Sequence, residues 1–203
     1  MRGRLGRERT GASADLLAIG LGNPGREYER TRHNVGREAV EALAGRLKVS
    51  LRTEKGTRAR LAEQTVDGRR LALAVPETYM NESGLAVQAL VRRCSIVDLG
   101  RLVVVHDELD LPVGVVRVKQ GGGTAGHNGL RSLQSHLGSL AFVRVRIGIG
   151  RPPGRMAGAD YVLRRPTADE ATELAVAIEV AADAVTVVLE RGVDQAMNEL
   201  NGR

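Results

Sequence analysis

Apolar positions change period several times along the chain, and each change predicts a new element. Residues 16–22 form a short apolar run closed by Gly-Asn-Pro-Gly, which reads as a buried first strand ending in a tight turn. Over 34–48 the apolar residues Val35, Ala39, Ala42, Leu43 and Leu47 recur at helical spacing, with Asn34 placed as the N-cap. Residues 58–66 and 71–75 flank Asp67-Gly68 and predict a hairpin. A loop over 76–84 leads into a helix over 85–93, and 102–105 is another run of buried-strand type, ending at His106-Asp107. A strand over 113–119, a glycine-rich loop, a helix over 128–137 and a strand over 142–149 follow. A long amphipathic helix over 167–190 and a short one after Gly192 complete the chain.

Strands that alternate with helices, with a hairpin inserted early, predict a single-domain three-layer α/β/α sandwich built on a twisted mixed β-sheet. In such sheets ligands bind outside the carboxyl ends of the strands. The unusual polar residues collect there: Asn23 after the first strand, Asn81 after the strand at 71–75, and Asp107 after the strand at 102–105.

With 203 residues, 42% of them hydrophobic, the chain has enough material for one sizeable core. A net charge of +6 favours an anionic partner, nucleic acid before membrane surface, although a generally basic surface without a partner explains the charge about equally well. Aromatic residues are only 2%, which argues against a stacking platform for single-stranded bases. The single cysteine, Cys94, cannot form an internal disulfide and fits a reducing, cytoplasmic setting. No apolar run approaches the roughly 20 residues that span a bilayer. Residues 1–15 carry Arg2, Arg4, Arg7 and Arg9 with no apolar segment after them, so they read as a disordered basic tail rather than a secretory signal, with the folded domain over 16–203.

Two glycine patterns tempt toward a dinucleotide site. In Gly20-Leu-Gly-Asn-Pro-Gly25, Pro24 removes an N–H from the phosphate cradle, and no strand with an acidic end follows at the required distance. Gly121-Gly-Gly-Thr-Ala-Gly126 also lacks that acidic strand end. Both read instead as places where backbone turns sharply beside a ligand.

Of the four histidines, His136 lies inside a predicted helix and reads as structural. A catalytic histidine needs a partner to fix its tautomer, and Asp107 is the best candidate. His106 is its neighbour in sequence, but adjacent strand residues face opposite sides. His33 and His127 both lie in loops at the same predicted edge, and the residues leave them as rival bases. Asn23, Asn81 and Asn128 offer uncharged donors and acceptors suited to amide or ester groups, or simply fill turns and caps. Met80 reads equally as an apolar floor for a substrate and as packing under its loop. A metal-dependent phosphoesterase using His106, Asp107 and Asp110 is the competing enzyme reading, and a non-catalytic RNA-binding module is the other alternative.

Taken together, Gly20-Leu-Gly-Asn-Pro-Gly25, Tyr28, Thr31-Arg-His-Asn-Val-Gly36, Tyr79-Met-Asn-Glu-Ser-Gly84, His106-Asp-Glu-Leu-Asp110, Gly121-Gly-Gly-Thr-Ala-Gly-His-Asn-Gly129 and Arg144-Val-Arg-Ile-Gly-Ile-Gly150 occur in that order, and the ordered set resembles the bacterial peptidyl-tRNA hydrolase family over about residues 16–200. The resemblance implies hydrolysis of the ester between a peptide and the 3′ ribose of tRNA, with no cofactor or metal, by a cytoplasmic monomer that engages the acceptor stem and 3′ CCA end. It makes His33 the base, Asp107 its support and Asn23 the residue that tells blocked from free aminoacyl groups, and moves His127 to the substrate loop. It places Tyr28, Tyr79, Met80, Asn81 and Asn128 along the substrate, and Arg117, Lys119 and Arg146 near the acceptor end. Tyr79 stands where the family often has Phe, which implies a packing role. Thr124-Ala125 stands where some members have His-Gly, and only small kinetic effects are expected from it.

Overall fold

The computed structural model describes residues 13–202. Seven strands form one mixed sheet: β1 (Leu16–Gly20), β2 (Arg52–Glu54), β3 (Ala59–Val66), β4 (Arg69–Pro76), β5 (Leu102–Glu108), β6 (Val116–Gln120) and β7 (Val143–Gly148), in the order β2-β3-β4-β1-β5-β7-β6. The central strands β4, β1, β5 and β7 run parallel, and the antiparallel pairs lie toward the edges. The helices are α1 (Val35–Arg46), α2 (Ser83–Arg93), α3 (Asn128–Leu137), α4 (Gly158–Val162), α5 (Ala168–Arg191) and α6 (Val193–Asn201).

The continuous apolar run of β1 follows from burial on both faces. Leu16 and Ala18 join one core with α1, α5 and α6, whereas Leu17 and Ile19 join a second with α2 and α3. The chain is therefore the expected three-layer α/β/α sandwich with a mixed sheet. Asp67 and Gly68 both take positive φ (46° and 78°), which closes the β3–β4 hairpin as an Asp-Gly turn should. Thr167 and Glu170 form a capping box at the start of α5, and Gly138 at φ 70° ends α3.

Several boundaries differ from expectation, each for a local reason. β5 runs three residues further, through Glu108, so His106 and Asp107 are strand residues paired with Arg146 and Ile147 rather than residues beyond the strand. β6 starts at Val116 because Gly114, at φ 80°, and the Val115 N–H to Pro112 carbonyl bond form a turn first. The polar β2 and the one-and-a-half-turn α4 carry too few apolar positions to show a period. Of the expected tail, residues 1–12 with their arginines lie outside the described residues. Ala14 is buried, its N–H bonds the Cys94 carbonyl, and Asp15 bonds Arg70 and Arg101, so the packed chain begins before residue 16.

Gly36 decides how closely α1 approaches the sheet. A Cβ there would lie 2.2 Å from the Val105 carbonyl oxygen, and one on Gly20 would lie 2.4 Å from the Gly36 carbonyl oxygen. This contact seats the turn Arg32–Asn34, just before α1, over the end of β5. Gly36→Ala is expected to destabilise the fold by about 1–3 kcal/mol through overpacking, read as a lowered Tm. An unchanged Tm would show that the backbone yields freely.

Candidate active site

Asp107, buried at the end of β5, is where three segments meet. Its carboxylate lies 2.9 and 3.0 Å from His33 Nδ1 and, through Oδ1, 2.9 Å from His127 Nε2. The two imidazole centroids are 5.0 Å apart. Sequence logic left these histidines as rivals because one carboxylate could serve either; in the fold it serves both.

Their remaining nitrogens separate them. His127 Nδ1 accepts the N–H groups of Gly129 (3.1 Å) and Leu130 (3.3 Å), which makes it the cap of α3. That nitrogen therefore carries no proton, Nε2 carries it and donates to Asp107, and both nitrogens are committed. His33 donates from Nδ1, which leaves the lone pair on Nε2, and no hydrogen bond to that atom occurs among the described residues. His33 also lines the two cavities that open at the site. Of the two, His33 alone has a lone pair free to accept a proton from a substrate.

The electrostatics agree with the geometry. Burial by itself would raise the Asp107 carboxyl, but His33 and His127 override it and hold the carboxyl well below the ordinary carboxylate range. Burial by itself would lower His33, but the charge and hydrogen bonds of Asp107 raise it above its ordinary value. His106 lines one of these cavities too, but its Nδ1 donates to the Asp107 main-chain carbonyl at 2.7 Å, its Nε2 is buried without a hydrogen-bond partner among the described residues, and burial followed by the neighbouring His127 pushes it down to about 3. It is a neutral, buried side chain that does not touch the carboxylate.

His33, Asp107 and His127 also form the one group close enough to hold a metal among the described residues, with candidate ligand atoms within 4.8 Å of one another. The hydrogen-bond pattern works against that use. A ligating imidazole needs its lone pair on the atom facing the ion, whereas His33 Nδ1 and His127 Nε2 both carry protons there. The phosphoesterase trio of His106, Asp107 and Asp110 does not assemble, because Asp110 pairs with Arg151 at 2.5 Å at the surface.

Asn23 is buried and fixed on three sides. Its N–H bonds Asn34 Oδ1 at 2.8 Å, its carbonyl accepts from Asn34 Nδ2 at 3.0 Å, and its Oδ1 accepts the Met80 N–H at 2.7 Å. Asn34 was expected to cap α1 with its side chain. It stands at that position but uses its amide to brace Asn23, because the reciprocal pair satisfies two backbone groups at once. With Oδ1 taken, Asn23 offers its Nδ2 donor to the cavity it lines with Tyr79, Met80, Asn81 and Asn128. Tyr28 meets Tyr79 edge-on at 6.3 Å, and Tyr79 is half exposed. Met80 is both floor and packing: it is buried in the α2–α3 core and abuts Gly129.

The second cavity, about 310 Å³, lies on the other side of His33 between Asp107, the glycine-rich loop and α4. His33, Asn128, Ala159 and Val162 line both. Arg144, not anticipated as important, shapes this loop by donating to the Gly122 (2.7 Å) and Gly123 (2.5 Å) carbonyls. Only its place at the head of the Arg144–Gly150 motif hinted at it. On the adjoining sheet edge, register puts Arg117 opposite Arg146 and Lys119 opposite Arg144, so four cations share one face. Arg146 is near Glu108 (3.7 Å), and Arg117 donates to the Leu200 carbonyl (2.6 Å). His136 donates to the Ser132 carbonyl one turn earlier in α3, as a structural histidine would.

Comparison with known proteins finds similarity over nearly the whole chain. The family model for peptidyl-tRNA hydrolase matches residues 17–203. The chain is 51% identical over 185 residues to peptidyl-tRNA hydrolase of Rhodococcus erythropolis, covering 91% of this chain and 97% of that one. It is 50% identical over 190 residues to the same enzyme of Nocardia farcinica, covering 94% and 98%. The crystal structure of peptidyl-tRNA hydrolase from Acinetobacter baumannii superposes with a TM-score of 0.87 at 37% identity, covering 94% of this chain and 97% of that one.

Proposed function

Since the chain belongs to the peptidyl-tRNA hydrolase family, whose members release tRNA from peptidyl-tRNA by ester hydrolysis, we propose that His33 is the base of that reaction and Asp107 its support. The observation that carries this reading is the contrast between two histidines on one carboxylate: only His33 keeps a free lone pair in the cavities. His33 Nε2 takes a proton from water as the water oxygen attacks the ester carbonyl. Asp107 holds the imidazolium that results. The Asn128 amide, shared by both cavities, donates to the carbonyl oxygen as charge develops on it. Collapse breaks the bond to the ribose 3′ oxygen, which recovers the proton from His33. An ester to ribose is activated enough for this to proceed without a metal.

The Asn23 side of the site suits the peptide, and the glycine-loop side suits the terminal nucleotide. Asn23 Nδ2 donates to the carbonyl that blocks the amino group next to the ester. A free aminoacyl group presents an ammonium there, which has no lone pair for that donor. Tyr28, Tyr79, Met80 and Asn81 line the peptide, with Tyr79 packing through its ring, and His127 serves the substrate loop by capping α3. Arg117, Lys119 and Arg146 suit the phosphates of the acceptor stem leading to the CCA end. All these groups come from one chain, so a monomer acting in the cytoplasm, where its substrate arises, is sufficient. The catalytic domain expected over 16–203 takes in Ala14 and Asp15 as well, and the arginines upstream of it add non-specific RNA affinity.

The test compares release of an N-acetyl-aminoacyl group and a free aminoacyl group from tRNA. Wild-type protein should strongly prefer the blocked substrate. Asn23→Asp keeps an acceptor for Met80 but turns a second one toward substrate, so kcat/KM on the blocked substrate should fall about 10- to 100-fold and the preference should narrow. An unchanged preference in Asn23→Asp would remove Asn23 from this role.

A further inference from the structure

Arg32 immediately precedes the base, yet its side chain takes no part in either cavity. It is buried, at 5% exposure, and its side-chain partners lie in α4, in the connection after it and in the first turn of α5. Nη1 donates to the carbonyls of Arg164 (3.2 Å) and Arg165 (3.0 Å), and Nη2 donates to Glu170 Oε2 (2.5 Å). The guanidinium lies 4.2 Å from the centre of the Tyr161 ring. Its main-chain N–H adds a bond to the Arg164 carbonyl at 3.2 Å. Each partner is itself anchored: Glu170 accepts the Thr167 N–H at 2.7 Å, and the Tyr161 hydroxyl donates to the Ile149 carbonyl at 2.8 Å.

α4 is only five residues long and cannot hold its own position by helix propensity. Ala159 and Val162 nevertheless line both cavities beside His33, while Tyr161 of the same helix stacks on Arg32. We propose that Arg32 is a positioning residue that ties the His33 turn to the α4–α5 junction and so holds α4 as the shared wall of both substrate cavities. A buried ion pair contributes little net stability compared with apolar packing of the same volume. What the planar fork supplies here is placement, since it meets two carbonyls, a carboxylate and a ring at once.

This inference rests on the reading of His33 as the base, but its first readout does not. Arg32→Met fills the site with apolar volume, Arg32→Lys keeps the charge without the fork, and Glu170→Gln loosens the partner should either variant at 32 fail to fold. Amide exchange over 158–164 should be about 10-fold faster in Arg32→Met and Glu170→Gln, with exchange in the central strands unchanged. On N-acetyl-aminoacyl-tRNA, KM should rise about 10-fold with a much smaller change in kcat, because the misplaced element is a cavity wall rather than the base. The pH at which kcat falls should stay at the wild-type value, and Arg32→Lys should recover part of the loss. Wild-type exchange over 158–164, or faster exchange there with wild-type KM, would overturn the proposal. If His33 proves not to be the base while exchange and KM still respond, the clamp stands and only the catalytic reading falls.

Discussion

His33→Ala is expected to lower kcat on N-acetyl-aminoacyl-tRNA by about 10²- to 10⁴-fold, the usual contribution of a positioned general base, while affinity for tRNA stays close to wild type. The side chain is buried beside the cavities and takes no part in the cationic face of β6 and β7, so its loss removes proton transfer and leaves phosphate contacts intact. Single-turnover cleavage and equilibrium tRNA binding separate the two. Weak binding combined with normal cleavage of the bound fraction would contradict the assignment.

Asp107→Asn should have a comparable effect for a different reason. The carboxylate accepts N–H bonds from two imidazoles, and an amide replaces one acceptor atom with a donor. Either His33 loses the partner that fixes its tautomer or His127 loses its hold on α3. A fall in kcat of about 10²-fold or more is expected, as when a triad aspartate is replaced. The pH dependence should change as well. His33 must be neutral to act, so activity is lost as pH falls through its folded-state pKa, which Asp107 keeps above the ordinary value. Removing the charge lowers that pKa, so the acid limb of kcat should move to lower pH. A limb that stays in place would uncouple Asp107 from the base. The sign for stability is opposite: the raised pKa stabilises the fold while His33 is protonated, and that contribution is lost as pH rises through the same pKa.

The layered fold was legible because its central strands are buried on both faces and its long helices keep a strong period. Asp-Gly at 67–68 located the hairpin, and the amphipathic period over 167–190 located α5. What the chain hid was short or polar: β2, α4 and the last residues of β5. The polar cluster at one sheet edge was visible as a set of residues, but roles within it were not. Choosing between His33 and His127 requires knowing that Gly129 and Leu130 N–H groups meet His127 Nδ1, a fact of three-dimensional capping that a loop histidine does not advertise. Arg32 was hidden for a related reason, since its side-chain hydrogen-bond partners lie more than 130 residues away in sequence and no local pattern joins them.

The most direct test follows the His33 imidazole by NMR across pH and compares its titration with the pH dependence of single-turnover cleavage. The two should fall at the same pH, above the ordinary histidine value, and should move down together in Asp107→Asn. Cleavage that keeps its full rate after His33 has become protonated would contradict His33 as the base.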